Sequence, residues 1–132
     1  MAVATVVRYM LLCDDWQVDP ANQSRVHIIG LVSYIRATDE LSYPLLYREL
    51  CVFLALTEGR GTGEGFITCI YEESGELVFE TPRRQIEFGS DPLEVSGMVF
   101  RIRDCRFPRA GLYSIQFWYD GVIIQERPLR LR

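Results

Sequence analysis

Apolar and polar residues alternate in short runs along this chain, and turn residues separate the runs. In the segment 111–132, two runs rich in β-branched and aromatic residues flank the dipeptide Asp120-Gly121. A two-residue type I′ turn needs positive φ at both central positions, and Asp-Gly is typical of that turn. The pattern therefore predicts a β-hairpin over this segment.

The predicted turn pairs Tyr119 with Val122 and Phe117 with Ile124, on a face that we expect in the core. Strict alternation beyond this point would also turn a glutamate and a proline, at positions 126 and 128, toward the core. We therefore expect a β-bulge at 126–128, after which two leucines turn inward. The residues expected inside are Tyr113, Ile115, Phe117, Tyr119, Leu129 and Leu131.

The rest of the sequence indicates short strands and no long helix. Both faces of 26–35 and of 50–56 are apolar, which is typical of central strands. The glycine-rich segment 58–65 is expected to be a mobile loop, and 37–48 a connection or one helical turn. The other expected strands are 6–13, 66–71, 77–79, 85–88 and 98–105. About eight short strands predict an all-β, two-layer antiparallel β-sandwich, immunoglobulin-like or C2-like, with 1–132 as a single domain.

Charge and hydropathy narrow the classes of partner. The 132 residues carry 14 basic and 18 acidic side chains, a net charge of −4, and every basic residue is an arginine. Nucleic-acid-binding domains are usually basic, so we expect no nucleic-acid partner. No apolar run reaches the roughly 18 residues of a membrane span, and Arg8 interrupts the first one. We expect a cytoplasmic protein without a membrane partner.

The residues that most often carry catalysis are scarce here. Four cysteines, at positions 13, 51, 69 and 105, are widely spaced and lie in or beside apolar runs. We expect reduced, buried thiols, since a zinc site normally has closer ligand spacing. The one histidine, His27, lies within a predicted strand. We therefore predict no enzyme, no cofactor and no metal site, although a Cys51–His27 couple in a deep pocket stays open as an enzymatic alternative.

Three aspartates near the first strand suggest a second class of function. Asp14, Asp15 and Asp19 are expected to lie in one loop. Carboxylates at one end of a β-sandwich bind calcium when a second loop supplies further oxygens, and the glutamates of 72–76 could do so at the same end. A calcium- or small-ligand-binding sandwich that uses the acidic loop Asp14–Asp19 is therefore the alternative to an interaction module.

The outer face of the predicted hairpin holds the favoured candidate surface. Trp118 lies opposite Ile123 on an otherwise polar face, with Gln116 and Arg127 nearby. An aromatic residue flanked by arginine and amide side chains has the composition of an interface hot spot. We predict a non-catalytic interaction or structural module that contacts a protein partner or a second copy through this hairpin.

The stretches LLCDD at 11–15, LCVFLAL at 50–56 and FPRAGLYSIQFWYDGVIIQERPLRLR at 107–132 carry a resemblance. Together they resemble a family of small uncharacterised bacterial proteins, catalogued as a domain of unknown function. That family shares LCDD after the first strand and a closing hairpin of the form FPxxGxYxxxxxxDGxxIxERPLxL. The resemblance covers most of the chain. It implies a bacterial, cytoplasmic protein without an assigned activity, and it supplies no catalytic residues.

Overall fold

Two β-sheets pack face to face in the computed structural model, which describes residues 5–23, 25–37 and 43–132. The all-β sandwich class is therefore confirmed, with ten strands in the described residues where about eight were expected. The strands are β1 (Val6–Val18), β2 (Val26–Leu31), β3 (Tyr34–Ile35), β4 (Leu45–Thr57), β5 (Thr62–Tyr71), β6 (Glu76–Glu80), β7 (Arg84–Glu87), β8 (Ser96–Phe107), β9 (Gly111–Tyr119) and β10 (Val122–Leu131).

The first sheet has four strands in the order β2-β1-β4-β8, and all its pairs are antiparallel. The second has six strands in the order β3-β10-β9-β5-β6, with β7 pairing a further part of β5. Short β3 runs parallel to β10, whereas the other pairs of this sheet are antiparallel. The antiparallel prediction therefore holds except at this one pair.

The core lies between the two sheets and follows from the alternation of the central strands. On β4, Leu50, Val52, Leu54 and Leu56 occupy every second position and are fully buried. Aromatic and β-branched residues of β5 and β9 face them from the second sheet. Phe100 of the first sheet reaches Phe117 of the second, with 6.3 Å between the ring centroids. Since successive strand residues point to opposite faces, the same alternation leaves a second set of side chains on each outer face.

The closing hairpin has the predicted turn but a different bulge. Asp120 and Gly121 both have positive φ, 48° and 81°, and Tyr119 pairs with Val122 as expected. The register then shifts at position 124, so Phe117 pairs with Gln125 and not with Ile124. The predicted bulge at 126–128 was therefore wrong. The earlier shift keeps Glu126 and Pro128 exposed, while Leu129 and Leu131 are buried as predicted.

The segment 26–35 does not form a central strand, so that prediction was wrong. It splits into β2 and the two-residue β3, and each of them ends a sheet. The apolar composition has a local cause on one side of β2. Val26 lines a cavity of about 460 Å³ together with Val18, Phe53 and Val95.

Three predicted loops are partly strand. The first strand continues through the aspartates to Val18, and the fourth begins at Leu45, while residues 38–42 of the predicted 37–48 connection lie outside the described part of the chain. The glycine-rich segment 58–65 enters β5 at Thr62. Gly63 has a packing role there, because a Cβ at this position would lie 2.1 Å from the Tyr119 hydroxyl oxygen. Residues 62–65 of this segment are therefore strand, whereas 58–61 lie outside the regular strands and include two residues of positive φ, Glu58 and Gly61.

Candidate binding groove on the six-stranded sheet

A shallow groove of about 530 Å³ lies on the outer face of the six-stranded sheet. It stands over the central strands β5 and β9, whose outward side chains form its floor and one wall. We call it the outer groove. Its lining residues are Glu64, Phe66, Thr68, Ile70, Leu77, Glu80, Arg83, Gln116, Trp118 and Gly121.

One wall of the outer groove is a stack of three planar groups. Phe66 and Trp118 are register partners on β5 and β9, and their rings stack with centroids 5.5 Å apart and planes 7° apart. The Arg83 guanidinium lies over the other face of the Phe66 ring, 4.4 Å from its centroid. Both faces of Phe66 and one face of Trp118 are therefore covered. The wall presents ring edges to the groove.

The position of Arg83 is set by a short connection after β6. Thr81 donates its backbone N–H to the Ile67 carbonyl at 2.9 Å and accepts the Ile67 N–H with Oγ1 at 2.9 Å. These two bonds fix the chain beside β5 just before Pro82. Arg83 then pairs with Glu64 at 3.2 Å, and both side chains are more than half exposed. Such an exposed ion pair contributes little stability, so the stacking on Phe66 is the more informative contact.

The floor of the groove is a directed chain of hydrogen bonds. The Trp118 indole N–H donates to Thr68 Oγ1 at 2.9 Å, and the Thr68 hydroxyl donates to Gln116 Oε1 at 2.8 Å. Thr68 and Gln116 are buried although they lie on an outer face. The carboxamide nitrogen of Gln116 has no hydrogen-bond partner among the described residues. It is therefore an unused donor at the bottom of the groove.

The opposite wall is aliphatic. Ile70 follows Thr68 on the same face of β5, and Leu77 of β6 is its register partner. Leu77 is 56% exposed, which is high for a leucine within a strand. Glu80, the partner of Thr68, adds a carboxylate at the rim. The groove thus combines ring edges, an aliphatic wall and one free amide donor.

The structure brings together three of the four predicted surface residues. Gln116 and Trp118 line the outer groove, and Ile123 lies directly opposite Trp118 as expected. Arg127 lies elsewhere, because the bulge at position 124 places it opposite Ile115 on the inward face of β10. There its Nε donates to the Met10 carbonyl of the other sheet at 3.1 Å.

Sequence reasoning missed the β5 half of the groove. The signal was present in the strand 66–71, whose alternation puts Phe66, Thr68 and Ile70 on one face. What the sequence could not give was the register that sets Phe66 against Trp118, since those strands lie far apart in the chain.

The three aspartates of the calcium alternative make separate contacts. Asp14 accepts a hydrogen bond from the Tyr47 hydroxyl, and Asp15 accepts one from the Trp16 backbone N–H at 2.8 Å. Asp15 also pairs with Arg101 at 3.4 Å. Within the described ranges, no group of three or more His, Cys, Asp or Glu residues could hold a metal ion.

The expected second calcium loop also has protein partners. Glu73 accepts a hydrogen bond from the Tyr71 hydroxyl at 2.9 Å, and Glu76 pairs with Arg109 at 3.4 Å.

Asp19, the third aspartate of the first acidic loop, accepts the Ala21 N–H at 2.8 Å and lies 3.6 Å from His27 Nε2. These carboxylates are engaged with neighbouring protein groups in the structure.

The cysteines are buried free thiols, as expected. Burial raises the pKa of Cys13 to about 11, with a further contribution from neighbouring Cys51, and raises the pKa of Cys105 to about 12. Burial also raises the pKa of the Cys51 and Cys69 thiols. The thiolate is the nucleophilic form, so these side chains are poorly suited to covalent catalysis. His27 is exposed on β2.

Comparison with known families agrees with the resemblance in the sequence motifs. A family model described as a family of unknown function, DUF6941, matches residues 8–132. The chain belongs to this family. No curated protein matches the chain. The described part of the chain contains no helix that could cross a membrane.

Proposed function

We propose that this member of DUF6941 is a non-catalytic binding module that takes a peptide segment of a protein partner into the outer groove. The observation that carries the proposal is the Gln116 carboxamide. Its nitrogen is an unused donor on a buried side chain, between a wall of ring edges and an aliphatic wall. Because Gln116 lines the open groove, water can reach this nitrogen, and a bound carbonyl oxygen would take the place of that water as its acceptor.

The form of the aromatic wall favours a peptide over a sugar. Recognition of sugars by aromatic side chains relies on an open ring face. Phe66 is covered on both faces, so only the second face of Trp118 is left for such a contact. Ring edges and the exposed Leu77 suit an aliphatic side chain from a partner. The Arg83–Glu64 pair and Glu80 at the rim favour a segment without a high charge of either sign.

The absence of an activated nucleophile in the described part of the chain supports a non-catalytic role. The four thiols have raised pKa values, and His27 is distant from the outer groove in the fold because it lies on the edge of the other sheet. The free thiols also suit a reducing compartment, which supports the cytoplasmic location predicted from the sequence.

A selection from a random-peptide display library tests the proposal. The selection is run on the wild-type chain, with counter-selection on Trp118→Ala. We expect enriched peptides to share an aliphatic position, and the synthetic consensus to bind the wild type in calorimetry. Gln116→Leu keeps a similar volume but removes the donor, so it should weaken binding roughly tenfold, the value of one hydrogen bond of about 1.4 kcal/mol.

Val122→Ala is the matched control, because Val122 is 60% exposed beside the same turn and does not line the groove. It should bind the peptide as the wild type does. Equal binding to wild type and Gln116→Leu would contradict the proposed role of the amide. A glycan array with Trp118-dependent binding, together with no groove-dependent peptide, would replace the peptide by a sugar.

A further inference from the structure

The free edge of β2 differs from the other sheet edges in the described part of the molecule. Edge strands of soluble proteins usually carry charges, prolines or bulges that prevent pairing with another chain. The edge strand β8 carries Arg101, Arg103, Asp104 and Arg106, and its Val99 carbonyl accepts a hydrogen bond from Arg84. Strand β6 begins and ends with glutamates, and β3 is only two residues long.

Strand β2 has no such protection between Val26 and Ile29. Its sequence VHIIGL contains no arginine, no acidic residue and no proline. Ile29 is 41% and Leu31 is 68% exposed, on a strand whose composition is typical of a sheet centre. The one irregularity is Gly30, whose φ of +67° ends the regular ladder on that side.

The hydrogen-bond pattern of the β1–β2 hairpin identifies the free backbone groups. Asp19 donates its N–H to the Arg25 carbonyl at 2.9 Å, and Val18 and Val26 are register partners. In an antiparallel ladder, residues of one strand point their backbone groups alternately toward and away from the neighbour. His27 and Ile29 therefore bond to β1, while Val26 and Ile28 point their N–H and C=O groups toward the open edge.

We propose that two copies of this chain pair along β2, antiparallel and about a two-fold axis at His27. The free N–H and C=O groups are on Val26 and Ile28, one residue to each side of His27. A two-fold rotation about His27 therefore brings the free groups of Val26 in one copy opposite those of Ile28 in the other. Val26 of each copy then pairs with Ile28 of the other, which forms four backbone hydrogen bonds. This self-complementarity favours a second copy over an unrelated strand, and two-fold dimers are the commonest assemblies.

The pattern also fixes one register. Moving the axis to Ile28 would set Val26 against Gly30, whose left-handed φ interrupts the ladder. An axis at Val26 would set Ile28 against position 24, which precedes the first residue of β2. Only the axis at His27 uses both free residues of both copies. In that register the two His27 residues face each other as a non-hydrogen-bonded pair, with Cα atoms roughly 4.5 Å apart.

A cysteine cross-link tests this register directly. His27→Cys places two thiols across the axis at a separation that a disulfide can span. We expect mild oxidation with diamide to convert most of this variant to a covalent dimer on a non-reducing gel. Ile29→Cys is the matched control. In this register each copy of position 29 is two residues away from the axis, and the two copies lie on opposite sides of it, too far apart for a disulfide. It should remain monomeric under the same treatment.

The oligomeric state of the unmodified chain is measured by light scattering over a range of concentrations. The contact involves few residues on each copy and is far smaller than a standard interface, so we expect a dimer that forms only at high concentration. The mass should rise from that of one chain toward twice that mass. Ile28→Pro removes an outward N–H that β1 does not use, and it should keep the chain monomeric throughout.

The outcomes separate clearly. A wild-type chain that stays monomeric at every concentration, together with His27→Cys that does not cross-link, would overturn the proposal. A dimer that survives Ile28→Pro, or equal cross-linking of the two cysteine variants, would also overturn it. Circular dichroism of Ile28→Pro that matches the wild type shows that loss of the dimer is not loss of the fold. Binding in the outer groove is independent of this edge.

Discussion

Cys13 lies directly opposite Cys51 on the neighbouring strand, and both are fully buried free thiols. The Cys51 Sγ–H donates to the Asp14 carbonyl at 3.6 Å, so this thiol is also engaged in a weak hydrogen bond. The pair combines close approach with raised pKa values.

The first prediction concerns thiol reactivity. Because burial raises the pKa of Cys13 to about 11, almost no thiolate exists at neutral pH. All four cysteines should react with iodoacetamide at pH 7.5 at least 100-fold more slowly than free cysteine, on the order expected for a buried neutral thiol. Mass spectrometry of timed samples measures this. One rapidly modified cysteine in the folded chain would revive the enzymatic alternative.

The second prediction concerns alkaline pH. The thiol pKa values are raised in the folded chain, so the unfolded chain loses these protons first as the pH rises. The stability that the neutral thiols contribute is intact below pH 9.0, their ordinary value, and declines as pH rises toward about 11 for Cys13. Each ionising thiol lowers the free energy of unfolding by about 1.4 kcal/mol per pH unit in that window.

Thermal unfolding at pH 8, 9 and 10 checks this decline. Cys105→Ala removes one contributor and should make the loss of Tm between pH 9 and 10 smaller than in the wild type. A Tm that is constant across this range would contradict the burial-induced shifts.

The third prediction compares two buried tyrosines of β9. The Tyr113 hydroxyl donates to the Arg109 carbonyl at 2.6 Å and accepts the Arg109 N–H at 3.2 Å. Tyr113→Phe leaves both groups without this partner and should lower the free energy of unfolding by about 1–3 kcal/mol.

Tyr119→Phe is its matched control, because the Tyr119 hydroxyl is buried without a hydrogen-bond partner in the described residues. Removing that hydroxyl should be neutral or slightly stabilising. Urea unfolding of both variants decides the matter. Equal destabilisation would mean that the Arg109 bonds have no special role.

The fourth prediction concerns Gly63. A Cβ there would lie 2.1 Å from the Tyr119 hydroxyl oxygen and 2.2 Å from the adjacent ring carbon. Gly63→Ala should therefore destabilise the chain by about 1–3 kcal/mol, the range for overpacking. Gly75→Ala offers no comparison because its φ is positive, so the double variant Gly63→Ala with Tyr119→Leu serves instead. If steric contact with Tyr119 is the cause, Tyr119→Leu should lower the free energy of unfolding less in the Gly63→Ala background than in the wild type.

Local sequence signals predicted the parts of the fold that depend on neighbours in the chain. Asp120-Gly121 fixed the turn, and with it the pairs Tyr119–Val122 and Trp118–Ile123. The position of the bulge could not be predicted, because a bulge at 124 and a bulge at 126–128 both turn Leu129 and Leu131 toward the core. That difference decided the orientation of Arg127, and so removed it from the candidate surface.

The remaining errors depend on contacts between distant segments. The segment 26–35 is apolar, but an edge strand can have the same composition as a central one, and only the pairing of distant strands decides between them. The groove required the register between Phe66 and Trp118, which arises only when β5 and β9 pair. The only local sign of the groove in the sequence was the alternation of the strand 66–71.

The central location of β5 and β9 has a consequence for how the groove would meet a ligand. Both strands are hydrogen-bonded along both sides, so the amides beneath Thr68 and Gln116 should be among the slowest to exchange with deuterium. A surface built on such backbone does not need to become ordered when it binds. The loss of conformational entropy on association would then fall almost entirely on the incoming segment.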